Sequence, residues 1–358
     1  MRRAQWLLAL MIGVVAAGHV LLTDDAGHAQ GKKLTVVTFG GSYEEAIRET
    51  FWRPYSKKTG IEIVSDTWNG EIGKVRAMVE AGKVTWDLIV ADYEHAIVGC
   101  EQGFLVPIAK TVIGDPADYV SGTLHRCGFP SDVYAFVYAF NEDKIPAAWG
   151  KERPKTLADV WDVKKFPGKR GFRKDPKYLL EAALIADGVA SNKVYEVLST
   201  PAGVERALAK LGTIKEHIVF WSKNAQPPQL LADGEVAITQ APNGRIDAAI
   251  RKDGKRFVIM WDRQIYAPDV WIVPKGPNAE EAMRFLEYMA QPEVLATQTK
   301  HIAYGPARKS ALRHVERDVL PHLPTTAQNM STAIASDEGW WADHYEELLQ
   351  RLNAWLAK

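Results

Sequence analysis

The chain has 358 residues, of which 47% are hydrophobic and 25% are charged, and its 44 Lys and Arg residues equal its 44 Asp and Glu residues in number. With this balance the chain has no strong overall positive field to attract nucleic acid or an anionic membrane, so no nucleic-acid partner is expected. The length exceeds an average domain of about 100–200 residues, and two domains with separate cores are therefore expected.

The N-terminus has the three-part pattern of a secretory signal peptide. Arg2 and Arg3 precede the apolar run 6–17, and a small residue, Ala29, stands before the expected cleavage point. The run is well short of the roughly 20 residues that span a bilayer. We therefore predict that residues 1–29 are removed and that the mature protein is periplasmic.

After the leader, strands and helices alternate. Residues 34–39 are rich in β-branched side chains and predict a strand, and Ser42 with Glu45 predicts a capping box that begins the next helix. The further predicted elements are a helix ending at Gly60, a strand over 61–64, a helix ending at Gly82 and a buried strand over 87–90. This order is typical of a parallel α/β layer.

The same alternation returns in the second half of the chain. Its predicted elements are strands over 219–221, 236–239 and 257–261, a helix ending at Gly234 and a helix beginning at Asn243. Two further stretches, 134–140 and 270–273, are the strands most able to cross between the halves. The last stretch, 340–356, is amphipathic and predicts a packed helix.

The chain has two cysteines, Cys100 and Cys127. In an oxidising compartment they could form a disulfide. Two buried thiols that pack as small hydrophobes are the alternative, because sequence alone does not show whether the Cα atoms lie within about 7 Å of each other.

A set of short motifs runs through nearly the whole mature chain. They lie at residues 54–61, 86–90, 156–161, 166–169, 234–238, 243–244 and 303–306. In order and spacing they resemble the spermidine/putrescine-type periplasmic binding proteins of ABC transporters. The resemblance implies an α/β fold of the type II periplasmic binding protein class, with two lobes joined by crossing strands and a ligand cleft between them. The predicted boundaries are 30–138 plus 269–320 for lobe 1 and 139–268 plus 321–358 for lobe 2.

In α/β sheets, ligands bind beyond the carboxyl ends of the strands. Gly40, Gly41, Ser42 and Tyr43 follow the first strand, and we predict that they line the cleft. Two glycines would let a solute approach the backbone, and a helix N-terminus would offer free N–H groups. An ordinary tight turn would use the same glycines.

Three aspartates are the predicted partners of an amine. Asp92 follows the strand over 87–90, and the resemblance implies that Asp92, Asp175 and Asp269 contact the ligand. An ammonium group taken out of water needs such partners. The alternatives are that Asp175, which precedes Pro176, caps a helix, and that Asp269 belongs to a structural ion pair.

Aromatic and amide side chains complete the predicted site. Tyr93, Tyr304 and Tyr43 could offer ring faces and hydroxyls to a cation, an interaction of about 0.5–2 kcal/mol. Tyr304 matches the ligand tyrosine of the family that the chain resembles, and Asn243 belongs to the same pattern.

The chain also departs from the polyamine binders. Their aromatic cleft residues are replaced here by Gly40 or Gly41, by Pro242 and by Ala267. Arg245, at a helix start, could instead bind a carboxylate with its planar fork, unless it is a solvated helix charge. A γ-amino acid or a betaine-like zwitterion is therefore an alternative to a polyamine.

We expect a monomeric binding component that passes a small amine or zwitterion to an ABC permease, with no cofactor, metal or catalytic residue. The sequence contains neither a Gly-x-Ser-x-Gly elbow nor a His-Glu-x-x-His motif, which argues against a secreted hydrolase. A binding protein for an anion or ferric ion, and a sensor that signals rather than transports, remain the alternatives.

Overall fold

The computed structural model describes residues 33–357. The predicted signal peptide, residues 1–29, lies outside the described residues. Within the described range, no helix is both long enough and apolar enough to cross a membrane.

Strands and helices alternate from the start of the described chain. The first elements are β1 (Lys33–Thr38), α1 (Gly41–Ile47), a π-helical segment (Arg48–Trp52), α2 (Arg53–Thr59), β2 (Glu62–Thr67), α3 (Ile72–Glu80), β3 (Leu88–Asp92), α4 (Tyr93–Glu101) and α5 (Lys110–Ile113). The middle elements are β4 (Phe129–Asn141), α6 (Leu157–Trp161), β5 (Arg170–Arg173), α7 (Leu179–Ala186), α8 (Val194–Leu198), α9 (Pro201–Gly212), β6 (Ile218–Trp221), α10 (Gln226–Asp233), β7 (Ile238–Pro242), α11 (Asn243–Arg251) and β8 (Phe257–Ile272). The last elements are α12 (Ala279–Met289), α13 (Pro292–Thr297), β9 (Gly305–Pro306), β10 (Ile334–Ala335) and α14 (Glu338–Leu356). Short 3₁₀ turns occupy Pro116–Asp118, Glu142–Lys144, Ala147–Trp149, Ser191–Lys193, Lys215–His217, Gln298–Lys300, Lys309–His314, Leu320–His322 and Asn329–Thr332.

The strands form a mixed sheet in the order β2-β1-β3-β8-β4-β7-β5-β6, with β10 added to β8 and β9 added to β4. β1 runs parallel to β2 and β3 at one end, and β5 runs parallel to β6 and β7 at the other. The antiparallel pair β4 and β8 lies between them. The two predicted parallel layers are thus joined by the two crossing strands.

The register of the crossing strands breaks where the two layers meet. Phe136 of β4 faces Ile265 of β8, but Tyr138 faces Met260, so β8 carries extra residues in a bulge. Arg263, inside the bulge, has a positive φ of 55°. Because β8 continues through the bulge, it crosses over a much longer stretch than the predicted 270–273.

Two large clusters of buried side chains underlie the two layers, and the first also reaches Tyr178 and Trp221 of the second layer. We call lobe 1 the elements β1–β3, α1–α5, α12 and α13, whose core includes Phe51, Trp271 and Phe285. We call lobe 2 the elements β5–β7, α6–α11 and α14, whose core includes Phe172 and Trp341. The exact boundaries given above for the lobes stay a prediction.

The helix starts and stops follow the sequence signals in part. Gly60 and Gly234 end α2 and α10 in the left-handed conformation, as predicted. The prediction of a capping box by Ser42 and Glu45 is wrong, because α1 already begins at Gly41 and its N-cap makes no side-chain hydrogen bond. The chain turns into the helix through two glycines with positive φ, so Ser42 lies inside the first turn.

Cys100 and Cys127 form a disulfide, with their Cα atoms 5.6 Å apart. The bridge ties the end of α4 to the segment that leads into β4. Of the two alternatives left open by the sequence, a disulfide and two buried thiols, the structure has the disulfide.

Removing this bridge should destabilise the fold without changing the solute site. The closed loop spans 27 residues, for which the chain-entropy estimate is about 3–4 kcal/mol of unfolding free energy. Denaturant unfolding of the double variant Cys100→Ser/Cys127→Ser should therefore show a clearly lower midpoint than the wild-type protein. An unchanged midpoint would mean that the bridge contributes nothing to stability.

Candidate functional site

A narrow cavity lies between lobe 1 and lobe 2. Its lining residues come from both lobes and are Phe39, Tyr43, Asp92, Tyr134, Phe136, Arg173, Asn224, Pro242, Arg245, Asp269 and Tyr304. Its free volume is about 10 Å³, roughly the space that one water molecule needs. The lobes are therefore closed tightly on this lining, and a solute needs them to move apart before it can enter.

Three aspartates form a row across neighbouring strands at one side of this cavity. Asp92 ends β3 and lies opposite Asp269 of β8, which in turn lies opposite Asp132 of β4. Directly opposed residues of adjacent strands project to the same face, with Cβ atoms about 4.5–5.5 Å apart. Each of the three is at least nine-tenths buried. The row thus places three carboxyl groups where water solvates them poorly.

Burial and mutual repulsion perturb the titration of this row. Burial raises the pKa of Asp269 well above its ordinary value, and Asp132 and Asp92 raise it further, against the opposing effect of Arg245. Burial also raises the pKa of Asp132 to about 6, although hydrogen bonds from Gln298, Ser131 and Tyr43 oppose the shift. Asp269 and Asp132 therefore retain protons above the pH at which a free carboxyl group loses them.

Hydrogen bonds fix two of the three carboxylates. One oxygen of Asp132 accepts from Ser131 Oγ at 2.8 Å, Gln298 Nε2 at 2.8 Å and the Tyr43 hydroxyl at 3.2 Å. Asp92 accepts from the Tyr134 hydroxyl at 2.7 Å. These bonds hold the outer members of the row in place on either side of Asp269.

Two arginines line the same cavity. Arg245, in the first turn of α11, is 3% exposed, and its Nη1 donates to the Gly40 carbonyl across the interlobe boundary at 2.6 Å. Its Nε is buried and has no hydrogen-bond partner in residues 33–357. Arg173, at the end of β5, is held by Asp175 at 3.3 Å and lies 5.8 Å from the Phe136 ring.

Aromatic rings separate the two kinds of charge. The Tyr43 ring lies 5.6 Å from the Arg245 guanidinium, while its hydroxyl reaches Asp132. Tyr304 lies 5.6 Å from the Tyr43 ring and 5.9 Å from the Tyr134 ring. The cavity thus offers apolar walls between an acidic side and a guanidinium.

The structure brings five of the predicted site residues into this lining: Tyr43, Asp92, Arg245, Asp269 and Tyr304. Three others surround Arg245 from the β1–α1 turn. Gly40 accepts from its Nη1, a Cβ on Gly41 would lie 2.8 Å from the same nitrogen, and Ser42 Oγ is 3.5 Å from it. The two glycines therefore leave room for the Arg245 side chain, which comes from lobe 2.

Three predicted residues lie outside the lining. The Tyr93 hydroxyl donates to the Leu124 carbonyl at 2.6 Å. Asn243 is fully buried, accepting from the Ala135 N–H and donating to the Ala303 carbonyl. Asp175 holds Arg173 and accepts from the Tyr345 hydroxyl at 3.1 Å, so it positions an arginine at the cavity.

Sequence reasoning missed six residues of this region: Phe39, Asp132, Tyr134, Phe136, Arg173 and Asn224. A signal existed for three of them. Tyr134 and Phe136 lie two residues apart in the predicted crossing strand 134–140, and Asp132 lies two residues before Tyr134, so the three share one face if the strand is extended, as β4 is. Arg173 gave no signal, because a strand with arginine at both ends does not look buried.

One group of side chains in the described residues has the composition of a metal site. Asp92, Glu94 and His95 offer ligand atoms within 4.8 Å of one another. The Glu94 carboxylate, however, already binds the Lys177 ammonium at 2.7 Å, and Asp92 accepts from Tyr134. A lysine thus supplies the positive charge that a metal ion would bring, and we assign no metal to this group.

The chain is similar to known proteins over most of its length. Residues 51–325 match the family model described as bacterial extracellular solute-binding protein. The chain is 42% identical over 334 residues to the gamma-aminobutyric acid-binding protein of Pseudomonas aeruginosa, covering 93% of each. It is similar to the solved structure of the PBP MotA from A. tumefaciens B6 in complex with glucopine, at 29% identity and a TM-score of 0.83, covering 90% of this chain and 99% of that one. The Atu4243-GABA receptor structure is 32% identical with a TM-score of 0.79, covering 91% of this chain and 98% of that one.

Proposed function

Since the chain belongs to the bacterial extracellular solute-binding proteins, we propose that its interlobe cavity captures a short ω-amino carboxylate, such as γ-aminobutyrate, for delivery to an ABC permease. Two relatives named above are described as binding or receiving γ-aminobutyrate. The proposal places the solute ammonium at the aspartate row and the solute carboxylate at Arg245.

The unpartnered Nε of Arg245 carries this proposal. A buried donor without an acceptor costs roughly 1–3 kcal/mol, and more when it is charged. Nη1 donates to Gly40, and the guanidinium also interacts with the Tyr304 hydroxyl, so Nε is the donor left for a solute carboxylate. A polyamine has no carboxylate and would leave this edge unsatisfied.

The aspartate row supports the other half of the proposal. A bare anion would bring no positive charge to Asp92, Asp132 and Asp269, which lie within one row. A solute ammonium group would stabilise the ionised forms of these carboxylates. Its N–H groups would replace the carboxyl protons as hydrogen-bond donors. The cavity is therefore complementary to a zwitterion at both ends.

The tyrosines argue against a ferric ion. Burial raises the pKa of Tyr43, Tyr134 and Tyr304 well above its ordinary value, and nearby aspartates raise it further. Ferric ligands bind as phenolates, which this environment disfavours. The hydroxyls of Tyr43 and Tyr134 are in addition already donated to carboxylates.

In transport, the proposed role needs no chemistry on the solute. The solute would meet one lobe, and closure of the other about the crossing strands would bury it. The closed form, with both lobes in fixed relation, would present one continuous surface to the permease. We propose accordingly that the protein acts as a periplasmic monomer and not as an enzyme.

A thermal-shift panel on the mature protein, freed of carried-over solute by unfolding and refolding, tests the function. The panel contains ω-amino carboxylates, diamines, polyamines, betaines, simple carboxylates and ferric ion. A ligand that binds only the native state raises the melting temperature. The proposal predicts that ω-amino carboxylates give the largest shift, and it fails if only diamines, anions or ferric ion give one.

Solute binding should release protons near neutral pH. The raised pKa values of Asp269 and Asp132 mean that the empty row holds protons which an incoming ammonium displaces. Affinity should therefore weaken as the pH falls from 8 to 5, by up to about tenfold per pH unit for each proton released. Calorimetry in buffers of different ionisation enthalpy measures the proton count directly. No proton release together with a flat affinity over this range would contradict the assignment of the ammonium to the row.

A further inference from the structure

A second buried charge cluster lies between the lobes, next to the cavity but outside its lining. Lys177, just before α7 of lobe 2, is 2% exposed. Its ammonium donates to Glu94 of α4 in lobe 1 at 2.7 Å and to Glu338, the first residue of α14, at 2.6 Å. We call these three residues the latch triad.

Two members of the triad are fixed to lobe 2. Helix α14 carries Glu338, and its Trp341 packs in the lobe 2 core and donates to Glu181 of α7 at 2.8 Å. Lys177 immediately precedes the strained start of α7. Glu94 is thus the only member on lobe 1, and its bond to Lys177 must break when the lobes separate.

Lys177 offsets the negative charge of Glu94 only while the lobes are together. Burial alone would raise the pKa of Glu94, but Lys177 and His95 lower it to about 2. Burial alone would lower the pKa of Lys177, but Glu338 and Glu94 hold it well above its ordinary value. Burial and the neighbouring Glu94 raise the pKa of Glu338 well above its ordinary value, although Lys177 opposes the shift. Without the lysine, the closed arrangement would leave the Glu94 carboxylate buried with no cation beside it, which is strongly unfavourable.

The residue after Lys177 connects the triad to the solute cavity. Tyr178 has φ 67°, which is rare for a bulky residue and persists only where the surroundings impose it. Its ring stacks on Phe136 at 4.2 Å, and its hydroxyl lies 2.6 Å from that of Tyr134, which donates to Asp92. A continuous set of contacts therefore runs from the aspartate row to Lys177.

We infer that Lys177 and Glu94 form an interlobe latch that holds the closed state once the aspartate row is occupied. The inference rests on the proposed solute site. Lys177 is a positioning residue that does not touch the solute, and it acts by slowing the reopening of the cleft. Removing either partner leaves the cavity lining unchanged and shortens the lifetime of the complex.

A double-mutant cycle tests the latch with γ-aminobutyrate as the probe. Glu94→Gln, Lys177→Met and the double variant are compared for dissociation rate and affinity, and for the unfolding midpoint of the solute-free protein. We expect each single change to raise the dissociation rate about tenfold or more, and the double variant to recover part of the loss, because contacting residues are not additive. Lys193→Met, which removes an exposed pair within lobe 2, should change nothing.

The two measurements separate a latch from a structural ion pair. The latch is supported if the effects of Glu94→Gln and Lys177→Met on solute affinity are not additive, while their effects on the unfolding midpoint of the solute-free protein are additive. Equal coupling in both, or unchanged dissociation rates, overturns it. Glu94→Lys guards against misfolding of lobe 2, since it alters lobe 1 alone and should speed dissociation by repelling Lys177. If the wild-type protein does not bind γ-aminobutyrate, the proposed function fails, and the latch inference falls with it.

Discussion

Replacing Arg245 by methionine should weaken γ-aminobutyrate binding by about 30- to 5,000-fold, because truncating one partner of a buried charge pair costs roughly 2–5 kcal/mol. Methionine keeps most of the apolar volume but leaves the solute carboxylate without its guanidinium partner. The loss also removes the bond to the Gly40 carbonyl, which joins the lobes. Calorimetric titration of the purified variant measures the change.

Two further variants sharpen this result. Arg245→Lys keeps the charge but not the planar fork, so its affinity should lie between those of the wild type and Arg245→Met. Arg256→Met removes an exposed arginine that pairs with Asp143 and should bind as the wild type does. If Arg245→Met binds γ-aminobutyrate normally, the carboxylate is not held by this guanidinium.

Replacing Asp269 by asparagine should have two opposite effects. Solute affinity should fall by a factor similar to that of Arg245→Met, because the ammonium loses the central carboxylate of the row. The solute-free protein should at the same time become more stable at pH 7–8. Both effects follow from the same buried charge.

The sign of the stability effect follows from the pKa. Burial raises the pKa of Asp269 in the folded state above its value of about 3.9 in the unfolded chain. Below about pH 4 the carboxyl group is protonated in both the folded and the unfolded state, and the full stability is present. As the pH rises through the folded-state pKa, this stability is lost because the unfolded chain gives up the proton more readily. Asparagine cannot ionise, so the variant avoids this loss, which amounts to about 1.4 kcal/mol per pKa unit.

Denaturant unfolding at pH 4 and pH 8 measures this effect. The stability difference between Asp269→Asn and the wild type should be small at pH 4 and should favour the variant at pH 8. Asp318→Asn changes an exposed carboxylate and serves as the control. A variant that is less stable than the wild type at pH 8 would contradict the perturbed titration of the row.

The sequence predicts the regular elements that depend on local signals. The β-branched run at the start of the chain, the buried strand before Asp92 and the glycine stops at Gly60 and Gly234 all act within a few residues. Strand β5 was missed because Arg170 and Arg173 mark its ends. Arg170 is nonetheless fully buried, since its guanidinium donates to the carbonyls of Val160, Phe166 and Gly168.

The candidate site depends on contacts that no local pattern contains. Strand ends pointed to Asp92 and Asp269, but the third aspartate enters the row only through the register of β4 against β8. The orientation of Arg245 was open because a helix start can face solvent or a cleft. It is decided by the two glycines of the opposite lobe, which leave room for the guanidinium.

The most direct test of the zwitterion site is a calorimetric titration of the solute-free mature protein with γ-aminobutyrate, butylamine and butyrate. These solutes share a four-carbon chain and differ only in their charged ends. The account predicts that γ-aminobutyrate binds at least about 100-fold more tightly than either singly charged solute, since each of those leaves one buried charged group unpartnered. Butylamine binding as tightly as γ-aminobutyrate would contradict the role of Arg245, and equal binding of butyrate would contradict the role of the aspartate row.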